Sequence, residues 1–267
     1  MLKDITLGQY FPGNTVVHRL DPRTKLVLVI VYIITLFMAE GWFSYSLIVV
    51  AALGCFALSR IRTGTILRSI KPLVLIIAVT AFLNIFFTKG DPIIQFWKIS
   101  VSWLGLRTAL FMAVRLIMLI TGTFLLTYTT SPISLMDGLE TLLSPLKKIK
   151  VPVHELAMMM GIALRFIPTL IEETQKIMNA QKARGADFES GNLIKKAKAL
   201  LPLLVPLFIS AFRRADELAI AMESRCYHGD KGRTRMTQLK MGKRDTVALI
   251  AGFAVMACVA VLSRSGL

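Results

Sequence analysis

Apolar runs and cationic breaks alternate along most of this chain. Leu26 to Ala39 and Phe43 to Leu58 are two apolar runs parted only by Glu40-Gly41-Trp42. Each falls a little short of the roughly 20 residues that a membrane span needs, so the pair reads as a tight hairpin with Trp42 and Tyr45 at the outer interface. Arg60, Arg62, Arg68 and Lys71 follow as a basic loop, and Pro72 to Phe87 is a third span. Lys89 to Gly105 mixes Asp91, Pro92, Trp97, Lys98 and Trp103, which suits an outer loop lying partly in the interface. Leu106 to Thr127 is a fourth span and Thr246 to Leu262 a last one. The pattern predicts an all-α polytopic membrane protein with about five transmembrane helices.

Between residues 128 and 244 the pattern changes from solid apolar runs to amphipathic ones, giving three regions: 1–127 with four spans, 128–244 with long cytoplasmic helices, and 245–267 with the last span. A short helix after Ser131-Pro132 carries Met136, Leu139, Leu142 and Leu143. From Val153 the spacing of Leu156, Met160, Ala163, Ile167 and Ile171 makes one apolar helical face. A second long helix runs from Leu193 to Ala221. Inside it, Ala199 to Phe212 is apolar for about 14 residues, a length better suited to a buried or interfacial helix than to a span. Leu203 and Phe208 are expected to be covered there, and Pro202 and Pro206 to bend the helix. Asp187, Glu189, Ser190, Gly191 and Asn192 form the polar turn between the two long helices.

Composition agrees with the pattern. A chain that is 55% hydrophobic with a mean hydropathy of +0.63 is too apolar for a soluble domain. The formal charge of +16 would suit nucleic acid, but the cations flank apolar spans, so the partner they imply is the lipid bilayer. The same bias places the N-terminus in the cytoplasm and the C-terminus outside. Met1 to Lys25 is polar and of mixed charge, a cytoplasmic lead-in with no cleavable signal. Asp21 caps the first helix and Pro22 takes its first position. Cys55, Cys226 and Cys258 are scattered, without disulfide or metal spacing.

Candidate chemistry is sparse. No Gly-x-x-x-x-Gly-Lys-Ser/Thr loop is present, so ATP hydrolysis is not expected of this chain, nor any cofactor of its own. His154-Glu155 lacks the second histidine of a zincin helix, and His18, His154 and His228 read as separate surface residues. No span carries a Ser/His or paired-carboxylate set for intramembrane hydrolysis. Arg115 lies midway along the fourth span, where a cation costs about 2.5–3.5 kcal/mol unless it faces protein or water. It reads as structural, bonded to carbonyls of neighbouring helices, or as facing a partner or a substrate path.

Each long amphipathic helix ends in an arginine between small residues: Ala183-Arg184-Gly185 and Ser224-Arg225-Cys226. A cation in the last turn is favoured by the helix dipole by about 0.3–1 kcal/mol, so capping alone accounts for either one. Their surroundings, Asn179 to Phe188 and Arg214 to Tyr227, together with His18-Arg19-Leu20-Asp21-Pro22-Arg23 before the first span, resemble the transmembrane coupling subunit (T component, EcfT family) of energy-coupling factor (ECF) transporters. Ser224 and Cys226 depart from the Ala and Gly common in that family. The resemblance implies long cytoplasmic coupling helices whose arginine tips dock on two ATP-binding-cassette ATPases. It also implies a substrate-binding membrane subunit, ATP bound only by the partners, a multi-pass protein of the cell membrane, and uptake of a vitamin or micronutrient. A dedicated cobalt, nickel or biotin coupler and an intramembrane enzyme are the alternatives.

Overall fold

Asp21 starts the first helix, α1 (Pro22–Met38): its Oδ1 accepts the Arg23 N–H at 2.9 Å and Pro22 takes the first position. Proline fits there because its missing N–H is one that the first turn leaves without a partner inside the helix. Ala39, in extended conformation, ends α1, and α2 (Trp42–Ser59) begins after the extended Gly41. The short turn expected from the sequence is thus present, but the two helices do not pair as a tight hairpin: each packs mainly against later helices of the chain.

The computed structural model describes residues 10–88, 92–96, 99–186, 188, 192–227, 229 and 239–264. Its framework is helical throughout, with one short hairpin. The basic segment read as a loop is largely helix: α3 (Thr63–Ile70) continues through a 3-10 turn, Lys71–Leu73, into α4 (Val74–Phe87). Gly64 is the weakest helix former of Thr63–Ile70, and one glycine costs about 1 kcal/mol, too little to stop a helix. The expected outer loop contains β1 (Pro92–Phe96) paired antiparallel with β2 (Ile99–Ser102). Ser102 then caps α5 (Trp103–Thr129), its Oγ accepting the Gly105 N–H at 2.9 Å. After α6 (Pro132–Leu143) and a 3-10 turn, Ser144–Ile149, come α7 (Val153–Ala183), α8 (Leu193–Glu223) and α9 (Lys243–Arg264).

Among the described residues, five helical stretches are long and apolar enough to cross a membrane: Trp42–Ser59, Thr63–Phe87, Trp103–Thr129, Val153–Ala183 and Lys243–Arg264. Length and composition therefore exchange one member of the expected five. The first helix, at 17 residues, falls just short, whereas α7 has the length despite its charged face.

The chain forms two compact units, one within Gly8–Leu139 and Leu239–Leu267, the other within Glu140–Gln238. In the first, Leu36, Ala39, Tyr45, Ile48 and Val259 are buried together, joining α1, α2 and α9, with Tyr32, Phe111 and Met118 packed around them. The Tyr45 and Phe111 rings stack at 5.0 Å. Polar links close one end of this bundle. Asp245 accepts the Asp21 N–H at 2.7 Å and the Gly242 N–H at 2.8 Å, tying the start of α9 to that of α1. The Lys25 ammonium donates to the carbonyls of Thr129 (2.8 Å) and His18 (3.1 Å). Burial, and the Lys25 charge beside it, hold the His18 imidazole below its ordinary range. Tyr128 is fully buried, bonded through its hydroxyl to Ser69 of α3.

Candidate functional site

The two arginine tips share one backbone geometry, set by the hydrogen bonds that close each helix. At the end of α7, Arg184 is the C-cap residue and its N–H reaches Ala180 O at 3.2 Å. Gly185 turns left-handed at φ +87°, its N–H bonds to Lys182 O at 3.0 Å, and the Ala186 N–H bonds back to Gln181 O at 3.0 Å. These 5→2 and 6→1 bonds make a Schellman closure. At the end of α8, the Cys226 N–H bonds to Glu223 O at 2.9 Å and the Tyr227 N–H to Met222 O at 3.1 Å. That is the same closure, with Cys226 in the left-handed place of Gly185 and Arg225 in the place of Arg184. Ala183, Arg184, Gly185, Ser224, Arg225 and Cys226 are all exposed.

The departure at Cys226 is therefore absorbed by the backbone without altering the tip. A residue with a Cβ at φ +55° costs about 1–2 kcal/mol relative to glycine. Ser224 steadies the turn by donating to Ala221 O at 3.1 Å. Cys226→Gly should leave function intact and raise stability by up to about 1 kcal/mol. Cys226→Val should lower it, because a β-branched side chain fits the left-handed region worst. Thermal unfolding in detergent reads both, and equal melting temperatures for the two variants would show that the turn is not left-handed.

A clamp joins the two helices behind their tips. Glu173 of α7 accepts hydrogen bonds from Ser210 and, at 3.0 Å, from the Arg214 guanidinium of α8. Arg214 follows Glu173 by 41 residues, the same interval that separates Arg225 from Arg184. Each tip arginine thus lies eleven residues beyond its clamp residue, about three helical turns, which returns it to the same face. The sequence reading missed this trio. The repeated interval was its one signal.

Other predicted residues fall as follows. Arg115 donates from Nε to the Tyr45 hydroxyl at 2.9 Å and from Nη2 to Ala39 O at 3.1 Å, with the Phe37 ring 5.5 Å away. These contacts give the cation the protein partners it requires inside a bilayer. His154 is not a separate surface residue: its Nδ1 pairs with Glu140 at 2.9 Å, with both side chains largely buried. His18 is bonded to Thr15 and to Phe11 O, while His228, Gly191, Asp187, Glu189 and Ser190 lie outside the described residues. On α8 the two expected buried positions divide. Leu203 is buried, but Phe208 is exposed, together with Leu201, Leu204, Val205, Ile209 and Phe212. The apolar run contains more hydrophobic residues than one helical stripe can cover.

Comparison with known proteins adds to this geometry. The profile of the family described as CbiQ, cobalt transport protein, matches residues 13–236. The chain is 56% identical over 266 residues to the energy-coupling factor transporter transmembrane protein EcfT of Clostridium kluyveri, covering 99% of this chain and 98% of the relative. It is 46% identical over 251 residues to the protein of that name from Lactococcus lactis subsp. cremoris, with 94% of each covered. With that from Bacillus subtilis it shares 46% over 254 residues, 94% of this chain and 95% of the relative.

Proposed function

Since this chain belongs to the CbiQ family, alongside the energy-coupling factor transporter transmembrane proteins, we propose that it couples two cytoplasmic ATP-binding-cassette ATPases to a small substrate-binding membrane subunit. It is a multi-pass membrane protein and the transmembrane component of an ECF transporter. In this reading it does no chemistry of its own: ATP is bound by its partners, and the cargo, a vitamin or other micronutrient, by the substrate-binding subunit.

The observation that carries the reading is the matched pair of exposed arginines on identical helix closures, joined through one clamp. A guanidinium offers five donors in a planar fork, suited to carboxylates and carbonyls in a groove. Each arginine lies about 16 Å beyond its clamp residue at the end of its own helix, which offers two separate tips to two partners. Tagged protein isolated from its native membrane should carry two ATPase subunits and a small membrane protein. Isolation without any ATPase would overturn the reading.

Orientation follows the cation bias, with the N-terminus inside and the C-terminus outside. A cysteine at the exposed Arg62 position, in a background with Cys55, Cys226 and Cys258 replaced by serine, should react with an impermeant maleimide only after permeabilisation. Labelling of intact cells would reverse the topology.

A further inference from the structure

One cavity is lined by none of the tip or clamp residues. It lies among α1, α2, α5 and α9 and has a volume of about 710 Å³, within the ~300–1,000 Å³ range of small-molecule sites. Its ends differ in chemistry. Lys25 at the start of α1, Thr129 at the end of α5, and Lys243 and Arg244 at the start of α9 line one end. Beyond them the walls are apolar, with Leu28, Ile48, Phe56, Leu125 and Val255. From Lys25 to Thr35 on α1, and from Lys243 to Val255 on α9, the lining runs about 15–18 Å along the helices. That is the depth of one leaflet, half of a hydrocarbon core of about 30 Å.

Lys25 is the second observation. It is 6% exposed, and its Nζ donates to the carbonyls of Thr129 and His18. An ammonium has three donors, so one remains for a further acceptor, on a side chain that lines the cavity. The nearby carboxylates do not line it, and both accept backbone N–H groups: Asp245 from Asp21 and Gly242, Asp21 from Arg23. The charged end is thus cationic and the remainder apolar.

We propose that this cavity seats an acyl chain of an anionic phospholipid from the surrounding bilayer, with its phosphate held by Lys243, Arg244 and the remaining donor of Lys25. Three cations and no carboxylate on the lining select an anionic headgroup over a zwitterionic one. The leaflet-deep apolar part selects a lipid over a soluble phosphate.

The test is native mass spectrometry of the purified full-length chain, delipidated in detergent and offered phosphatidylglycerol and phosphatidylcholine in equal amounts. One phosphatidylglycerol per chain should be retained, at least about fivefold over phosphatidylcholine. Lys243→Gln with Arg244→Gln, both exposed at a helix start, should remove that preference, whereas Arg62→Gln with Arg68→Gln should preserve it. Glycerol 1-phosphate added in excess over the lipid should not displace it. Equal retention of the two lipids, undiminished phosphatidylglycerol in the Lys243/Arg244 variant, or displacement by glycerol 1-phosphate would overturn the proposal.

Discussion

Membranes carrying the Arg184→Ala, Arg225→Ala double variant should hold normal amounts of this protein and lose the ATPase subunits on purification. Both side chains are exposed in the isolated chain, and only the backbone N–H groups of these residues join the helix closures, so neither side chain supports the fold. As caps they contribute at most about 1 kcal/mol each through the helix dipole. As interface anchors desolvated by a partner, each would carry at least about 2 kcal/mol, or roughly 30-fold in affinity. The two single variants should weaken uptake to a similar degree, because the closures that present them are the same. Arg→Lys should rescue only in part, since lysine keeps the charge and loses the fork. Unchanged uptake with retained ATPases in the double variant would leave both arginines as caps and nothing more.

Glu173→Ala should leave both tips intact, keep the ATPases bound, and still lower uptake per ATP hydrolysed by several-fold. The substitution removes the acceptor shared by Ser210 and Arg214. The Arg214 side chain is 35% exposed, so solvent screening limits the loss in stability to about 1 kcal/mol. What disappears is the fixed relation between α7 and α8. Arg214→Ala should have the same effect, and the double substitution should be no worse than either one, because both remove one interaction. Glu173→Gln keeps an acceptor for Ser210 and should restore part of the coupling. Uptake and coupling ratio matching the wild type in Glu173→Ala would reduce the clamp to a surface contact.

Helix positions were legible because burial in lipid demands long apolar runs and caps punctuate them. Asp21-Pro22, Gly41-Trp42 and Ser131-Pro132 each mark a real helix start. The arginine tips were legible as sequence signatures. Their common closure was not, since Cys226 has no composition-level preference for a left-handed turn. The helix at Thr63–Ile70 was hidden by its cations, which read as a loop although arginine is a good helix former. Glu173 and Arg214 were hidden for the opposite reason: each is an ordinary charged residue on an amphipathic face, and only packing pairs them. Phe208 shows the limit of hydrophobicity as a guide to burial in a chain whose surroundings include lipid and partners.

The equal intervals from the clamp to the two tips have a mechanical meaning. Two stiff rods pinned three turns from their arginine ends have arginine-bearing arms of equal length, so the mechanical advantage between the tips is one. Under the proposed coupling role, a displacement imposed at Arg184 would reach Arg225 neither amplified nor diminished, and the reverse would hold equally. Such a linkage favours two drivers that move in step with matched strokes over one that pushes while the other follows. Inserting a full helical turn between Arg214 and Arg225 would lengthen one arm alone and make the two strokes unequal, without touching either arginine.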